Sequence, residues 1–231
     1  MTKRLALVAA AVACWSTVAG ATSLGLPQGL PDIYSQFIYV DYVYDGGSSS
    51  GTLTATGTAR QVDLPPTSDI WGGLSSFALS VRVSDTGAVL GGADEDLKIE
   101  GHLDLNGDMV VDPGEPVGTL LTGRVTQFGF PEGTPQQIQA NPLEFVFAVT
   151  GGQMADLYGG IGSVGAVTLW QSGFGGSLTS SFNNALIPGY AFGIGVSDTY
   201  AVVPEPITAL VAVPIGLLFR LAQRRFRAPH A

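Results

Sequence analysis

Apolar and polar residues alternate with a period of two in several short stretches of this chain, the mark of a strand with one buried face. In "FALSVRV", Phe77, Leu79, Val81 and Val83 share one face, and Ala78, Ser80 and Arg82 take the other. "LEFVFAVT" repeats the pattern, with Leu143, Phe145, Phe147 and Val149 opposite Glu144, Val146, Ala148 and Thr150. The stretches "QFIYVDYVY", "GTLTATGTA", "LKIEGHL", "GTLLTGRVTQFGF", "VGAVTLW" and "YAFGIGV" also read as strands, most of them bounded by Gly, Pro, Asp or Ser clusters. A series of short strands in one body predicts a single all-β domain, an antiparallel β-sandwich or jelly roll, over residues 22–203. "GGQMADLYGG" has room for one helical turn, and "DEDLKIE" reads as a solvated charged face.

Composition agrees with this pattern. Of 231 residues, 45% are hydrophobic and 13% charged, enough apolar surface for one core, and 32 glycines with 14 prolines favour turns over long helices. Charge changes the picture more. Of ten basic residues, Lys3 and Arg4 lie at the start and Arg220, Arg224, Arg225 and Arg227 at the end, which leaves Arg60, Arg82, Lys98 and Arg124 for the body. All 19 acidic residues except Glu205 fall in that body. A surface so acidic repels nucleic acid and anionic lipid and concentrates divalent cations, so nucleic acid is excluded as a partner.

One stretch of the body carries chemistry, "DLNGDMVVDPGE". Asp104, Asn106, Asp108, the Val110 carbonyl, Asp112 and Glu115 stand at the first, third, fifth, seventh, ninth and twelfth positions, the oxygen spacing of a Ca²⁺ loop. Over these residues the chain resembles an EF-hand or dockerin-type loop. It departs from that pattern at the sixth position, where Met109 replaces the usual glycine, and in its strand-like flanks. The alternative is a solvated acidic turn without an ion. A bound Ca²⁺ would here stiffen the loop, since a hairpin opens no hydrophobic groove.

The two ends read as addresses. Lys3 and Arg4 precede an apolar stretch over 5–18, and Ala19-Gly20-Ala21 is a small-residue cleavage site, so residues 1–21 form an expected signal peptide cut by signal peptidase after Ala21. That cut removes Cys14, the only cysteine, and with it any disulfide or thiolate chemistry. At the other end Pro204-Glu205-Pro206 precedes an apolar run over 207–219 and then Arg224-Arg225. As a helix that run spans about 20 Å against a hydrocarbon core of about 30 Å, a marginal membrane anchor with its arginines on the cytoplasmic side. The two prolines hold the preceding residues extended, where an enzyme can grip them.

Triplet, span and basic cluster together, over residues 204–231, resemble the PEP-CTERM sorting signal of Gram-negative bacteria. The resemblance implies a transient transmembrane sorting helix in the inner membrane, cutting near the triplet by an exosortase-type enzyme, and a mature protein at the cell surface or released. It also implies association with exopolysaccharide. The alternative is an ordinary anchor that stays. For the body, two functions are carried forward: a non-enzymatic surface or matrix protein that associates with extracellular polysaccharide, and a secreted hydrolase acting on such polymers. The first would use aromatic platforms, for which Trp71, Trp170, Tyr190 and Phe174 are the candidates. The second needs a carboxylate pair at a defined separation. His102, the only histidine of the body, reads as a strand residue, and no G-x-S-x-G elbow is present.

Overall fold

A computed structural model describes residues 23–64, 66–91, 95–130, 142–186 and 192–202, the side chains of 72–74 excepted. Among the described residues nine strands make one antiparallel sheet: β1 Gln28–Asp45, β2 Ser50–Asp63, β3 Ser68–Ser84, β4 Leu97–Asp104, β5 Val117–Gly129, β6 Leu143–Gly151, β7 Val164–Trp170, the short β8 Phe182–Asn183, and β9 Gly195–Val202. A single turn of 3₁₀ helix, Ala155–Tyr158, occupies the segment read as able to hold one turn. Among the described residues no helix is long and apolar enough to cross a membrane. The expected signal peptide and sorting helix lie outside the described residues.

The connectivity differs from the expected sandwich or jelly roll. From β1 to β7 each strand pairs with the next in sequence, and β9 pairs with both β7 and β1. Strand β1 therefore offers one edge to β2 and the other to β9 and then β8, and eight strands close into a ring. Closure follows from curvature. Register shifts interrupt the β1–β2, β2–β3, β3–β4, β4–β5 and β5–β6 ladders, and each extra residue bends its strand and increases twist until the sheet meets itself.

The apolar halves of the alternating strands face the lumen and fill it. Phe77, Leu79, Val81 and Val83, and likewise Leu143, Phe145, Phe147 and Val149, are buried as their spacing predicts. Outward positions on β2 and β3 are polar, including Thr52, Thr56, Arg60, Ser80 and Arg82. That polarity is the reverse of a membrane barrel, which turns its apolar residues outward. The 3₁₀ turn closes one end: Met154 donates its amide to the Leu120 carbonyl (2.8 Å), and the buried Tyr158 hydroxyl donates to the Thr199 carbonyl (2.7 Å). Phe174 and Leu178 join the core at the other end, where the Tyr42 hydroxyl donates to the Leu178 carbonyl (2.9 Å).

Two departures from the sequence pattern matter. The final strand runs from Gly195 to Val202 and not over "YAFGIGV", and its inward residues include Ser197 and Thr199, hydroxyls with no hydrogen-bond partner among the described residues. In "DEDLKIE", Lys98 and Glu100 form an exposed ion pair at 2.8 Å, as a charged face should. Asp96 does not belong to it: the side chain is buried and accepts the Val125 amide at 2.8 Å, because its backbone extends β4 between Ser80 of β3 and Gly123 of β5.

Candidate cation loop and the groove beside it

The acidic loop joins β4 to β5 at the end of the barrel where β9 finishes. Its base is closed by the Leu103 amide donating to the Pro116 carbonyl (2.9 Å). Asp104, the last residue of β4, is 2% exposed, and its carboxylate accepts the amides of Asn106 (3.3 Å), Gly107 (2.6 Å) and Met109 (2.9 Å). Burial pushes this carboxyl up, but the three amides outweigh it and hold it below the usual carboxylate range. Met109 stands where a glycine was wanted, and it adopts the left-handed conformation (φ 64°) that the turn demands.

The remaining oxygens follow the same logic. Asn106 accepts the Asp108 amide (3.0 Å) and donates its side-chain nitrogen to Asp112 Oδ2 (2.7 Å), while Asp108 accepts the Val110 amide (2.8 Å). Glu115 accepts the Leu105 amide on Oε1 (2.9 Å), and on Oε2 the Asp112 amide (3.0 Å) together with His102 Nε2 (2.7 Å). The His102 bond, seconded by the two amides, pulls the Glu115 carboxyl down to about 2. Both side chains of this pair are less than a tenth exposed.

The expected ligands are thus gathered on one loop, with only oxygen donors and no basic side chain within it. That donor chemistry suits a hard cation. The arrangement does not surround one: among the described residues, no three Asp, Glu, His or Cys side chains are placed to hold a common ion. Glu115 in particular is turned to His102. His102 is a strand residue, as read, and its bond to Glu115 escaped the sequence reading because it joins β4 to the far end of the loop.

The Glu115 bonds set an acid limit on the loop. A depressed carboxyl contributes stability that is fully present above its unfolded value, near 4.5, and is lost as pH falls toward the folded value near 2. Thermal unfolding followed from pH 6 to pH 2 should show the midpoint dropping below pH 4.5, and Glu115→Gln should flatten that drop. An unchanged acid limb in the variant would show that the His102 bond does not hold the loop.

Beside the loop, the outer wall carries two depressions that meet at Trp71. One, of about 790 Å³, lies over β3, β4 and β5, where Glu100 and His102 face Met109 and Val111 of the loop and Val117 of β5. The other, of about 260 Å³, lies over β1, β2 and β3 and is lined by Tyr34, Gln36, Arg60, Gln61 and Asp69. Of the four aromatic candidates, Trp71 alone is placed at these depressions. Phe174 is core, Trp170 is half-buried beside Asp198, and Tyr190 lies outside the described residues. Ala19, Ala21, Pro204, Glu205, Pro206, Arg224 and Arg225 also lie outside them. No protein-family model matches the chain, and neither a curated protein nor a solved structure matches it.

Proposed function

We propose that this chain is an exported, non-enzymatic protein of the cell surface or extracellular matrix, sorted through its PEP-CTERM-like tail and associated there with polysaccharide. The observation that carries the reading is the order of parts: an export signal, an acidic β body, and a tail of Pro-Glu-Pro, apolar run and arginines. The barrel supports it. Its last strand pairs through Val202, against Gln28, two residues before the triplet begins at Pro204. A cut near the triplet would therefore remove nothing that the ladder uses, and the body would leave the membrane folded.

The test is fractionation of the full chain in a host that carries an exosortase and in one that lacks it. The first should yield a shortened body at the surface or in the medium, and the second a full-length species held in the membrane. Identical distributions in both hosts, or processing that survives replacement of Pro204, Glu205 and Pro206 by alanine, would overturn the sorting reading.

Calcium belongs to this proposal as a ligand of the loop. Asp104, Asn106, Asp108, the Val110 carbonyl, Asp112 and Glu115 would hold it, and Glu115 would have to leave His102 to do so. Calorimetric titration of the protein with Ca²⁺ should then release heat that is lost in Asp104→Asn, and saturating Ca²⁺ should raise the melting temperature. No heat and no shift at millimolar Ca²⁺ would leave the loop as an acidic turn held by its own amides. The hydrolase alternative predicts that an added polysaccharide is shortened, which the release of reducing ends would show.

A further inference from the structure

We infer that the paired depressions at Trp71 form one extended binding groove for a neutral polysaccharide chain, with Tyr34 and Trp71 as stacking platforms. The inference deepens the polysaccharide part of the proposal above and rests on it.

Register places the groove. Tyr34, Gln61 and Asp69 are direct neighbours across β1, β2 and β3, and Trp71, His102 and Val117 are direct neighbours across β3, β4 and β5. All line the depressions on the outer wall. Adjacent strands lie about 4.8 Å apart and successive residues about 3.3 Å, so Tyr34 and Trp71, two strands across and two residues along, are separated by about 12 Å, and the strip from β1 to β5 follows about 19 Å of arc around the barrel wall. That length suits several sugar rings in a row and exceeds what a single small molecule needs.

The lining gives the ligand class. A pyranose presents a flat C–H face and a rim of hydroxyls, and it is bound by an aromatic face with side-chain donors and acceptors around it. Trp71 is half-buried and is common to both depressions; Tyr34 is 37% exposed. Around them stand Gln61, Asp69, Ser76 and Glu100. Gln36, with its amide oxygen turned to Arg60, accepts from that guanidinium (2.8 Å), which fixes both groups at the rim. Met109 and Val111 supply an apolar wall opposite Trp71, held in place by the amides that Asp104 and Glu115 gather in the loop.

Charge selects among polysaccharides. Lys98, paired with Glu100, and Arg60 at the rim offset the two carboxylates that face the groove, Asp69 and Glu100, but the body as a whole is strongly acidic, so a uronic-acid or sulfated polymer would be repelled at long range. A neutral chain meets no such barrier.

Affinity electrophoresis tests this directly. The full-length chain, in mild detergent, is run through native gels containing barley β-glucan, xyloglucan, dextran or hydroxyethylcellulose, with alginate as the anionic comparison. The expected result is retardation by at least one neutral polymer and none by alginate. Trp71→Ala should weaken that retardation about tenfold, Trp71→Phe should restore most of it, and Thr52→Ala, outside both depressions, should leave it unchanged. Retardation by none of the neutral polymers, or equal retardation of the Trp71→Ala and parent chains, would overturn the groove. Fractionation of the tail variants reads the sorting proposal independently, so the failure of one is distinguishable from the failure of the other.

Discussion

Alanine at Gly165 is expected to lower the free energy of unfolding by about 1–3 kcal/mol, although it adds a single methyl group. A Cβ at Gly165 would collide with the ring of Phe147, and one at Gly123, on the other side of β6, would meet the same ring. Phe147 is fully buried and lies between two strands that have each given up a side chain to seat it. Neither glycine is needed for its backbone, since neither carries a positive φ, so the cost of substitution is steric. The pair makes the argument testable. Phe147→Leu alone should cost about 1–1.5 kcal/mol as a shrinking swap, and in the Gly165→Ala background its cost should fall or reverse, giving a coupling of about 0.5–3 kcal/mol by urea unfolding. Strict additivity would mean that the wall at Gly165 yields without touching the ring.

The same residues explain why the fold class was legible and its closure was not. Phe77 to Val83 and Leu143 to Val149 alternate cleanly because one face is core and the other is turned outward, and period two records that difference locally. Whether a sheet ends in two layers or a ring depends on β1 meeting β9, some 160 residues away in sequence, and on irregularities such as the one between Trp71 and Ser76. No local pattern carries that information. Strand β9 was missed for a related reason: it turns Ser197 and Thr199 inward, so "GVSDTYAV" lacks the apolar alternation that marks its neighbours.

The loop shows the same division. Oxygen spacing from Asp104 to Glu115 is a property of consecutive residues and could be read directly. The commitment of Glu115 to His102 depends on β4 and β5 lying side by side, which brings a strand histidine to the far end of the loop. Trp71 was one of four equivalent aromatics in sequence; its place at the groove follows from its pairing with His102, which sets it on the outer wall while Phe174 enters the core.

Replacing Asp32 by asparagine should stabilise the protein at pH 8 and leave it nearly unchanged at pH 4. Asp32 lies across β1 from Tyr200 on β9 and from Asp63 on β2. Partial burial first, then the charges of Asp198 and Asp63, push its carboxyl up to about 7, against slight relief from the Thr199 backbone. One of its oxygens is buried with no hydrogen-bond partner among the described residues. A carboxyl raised in the folded state binds its proton more tightly there than in the unfolded chain. Its contribution is therefore fully present below the unfolded value of 3.8 and is lost as pH rises through about 7. Full conversion of that change would be about 4 kcal/mol, but the side chain keeps contact with water, and screening reduces the expected gain in Asp32→Asn at pH 8 to about 1–2 kcal/mol. This slope opposes the one set by Glu115, whose stabilisation disappears below pH 4.5. Together they place the stability maximum of the parent chain on the acidic side of neutrality, near pH 5, and Asp32→Asn should move it toward neutral pH. Denaturant midpoints measured from pH 3 to pH 9 decide the matter: a parent profile that rises continuously to pH 8, or an Asp32→Asn profile parallel to the parent's, would show that Asp32 folds already ionised and that its acidic neighbours are held apart by water.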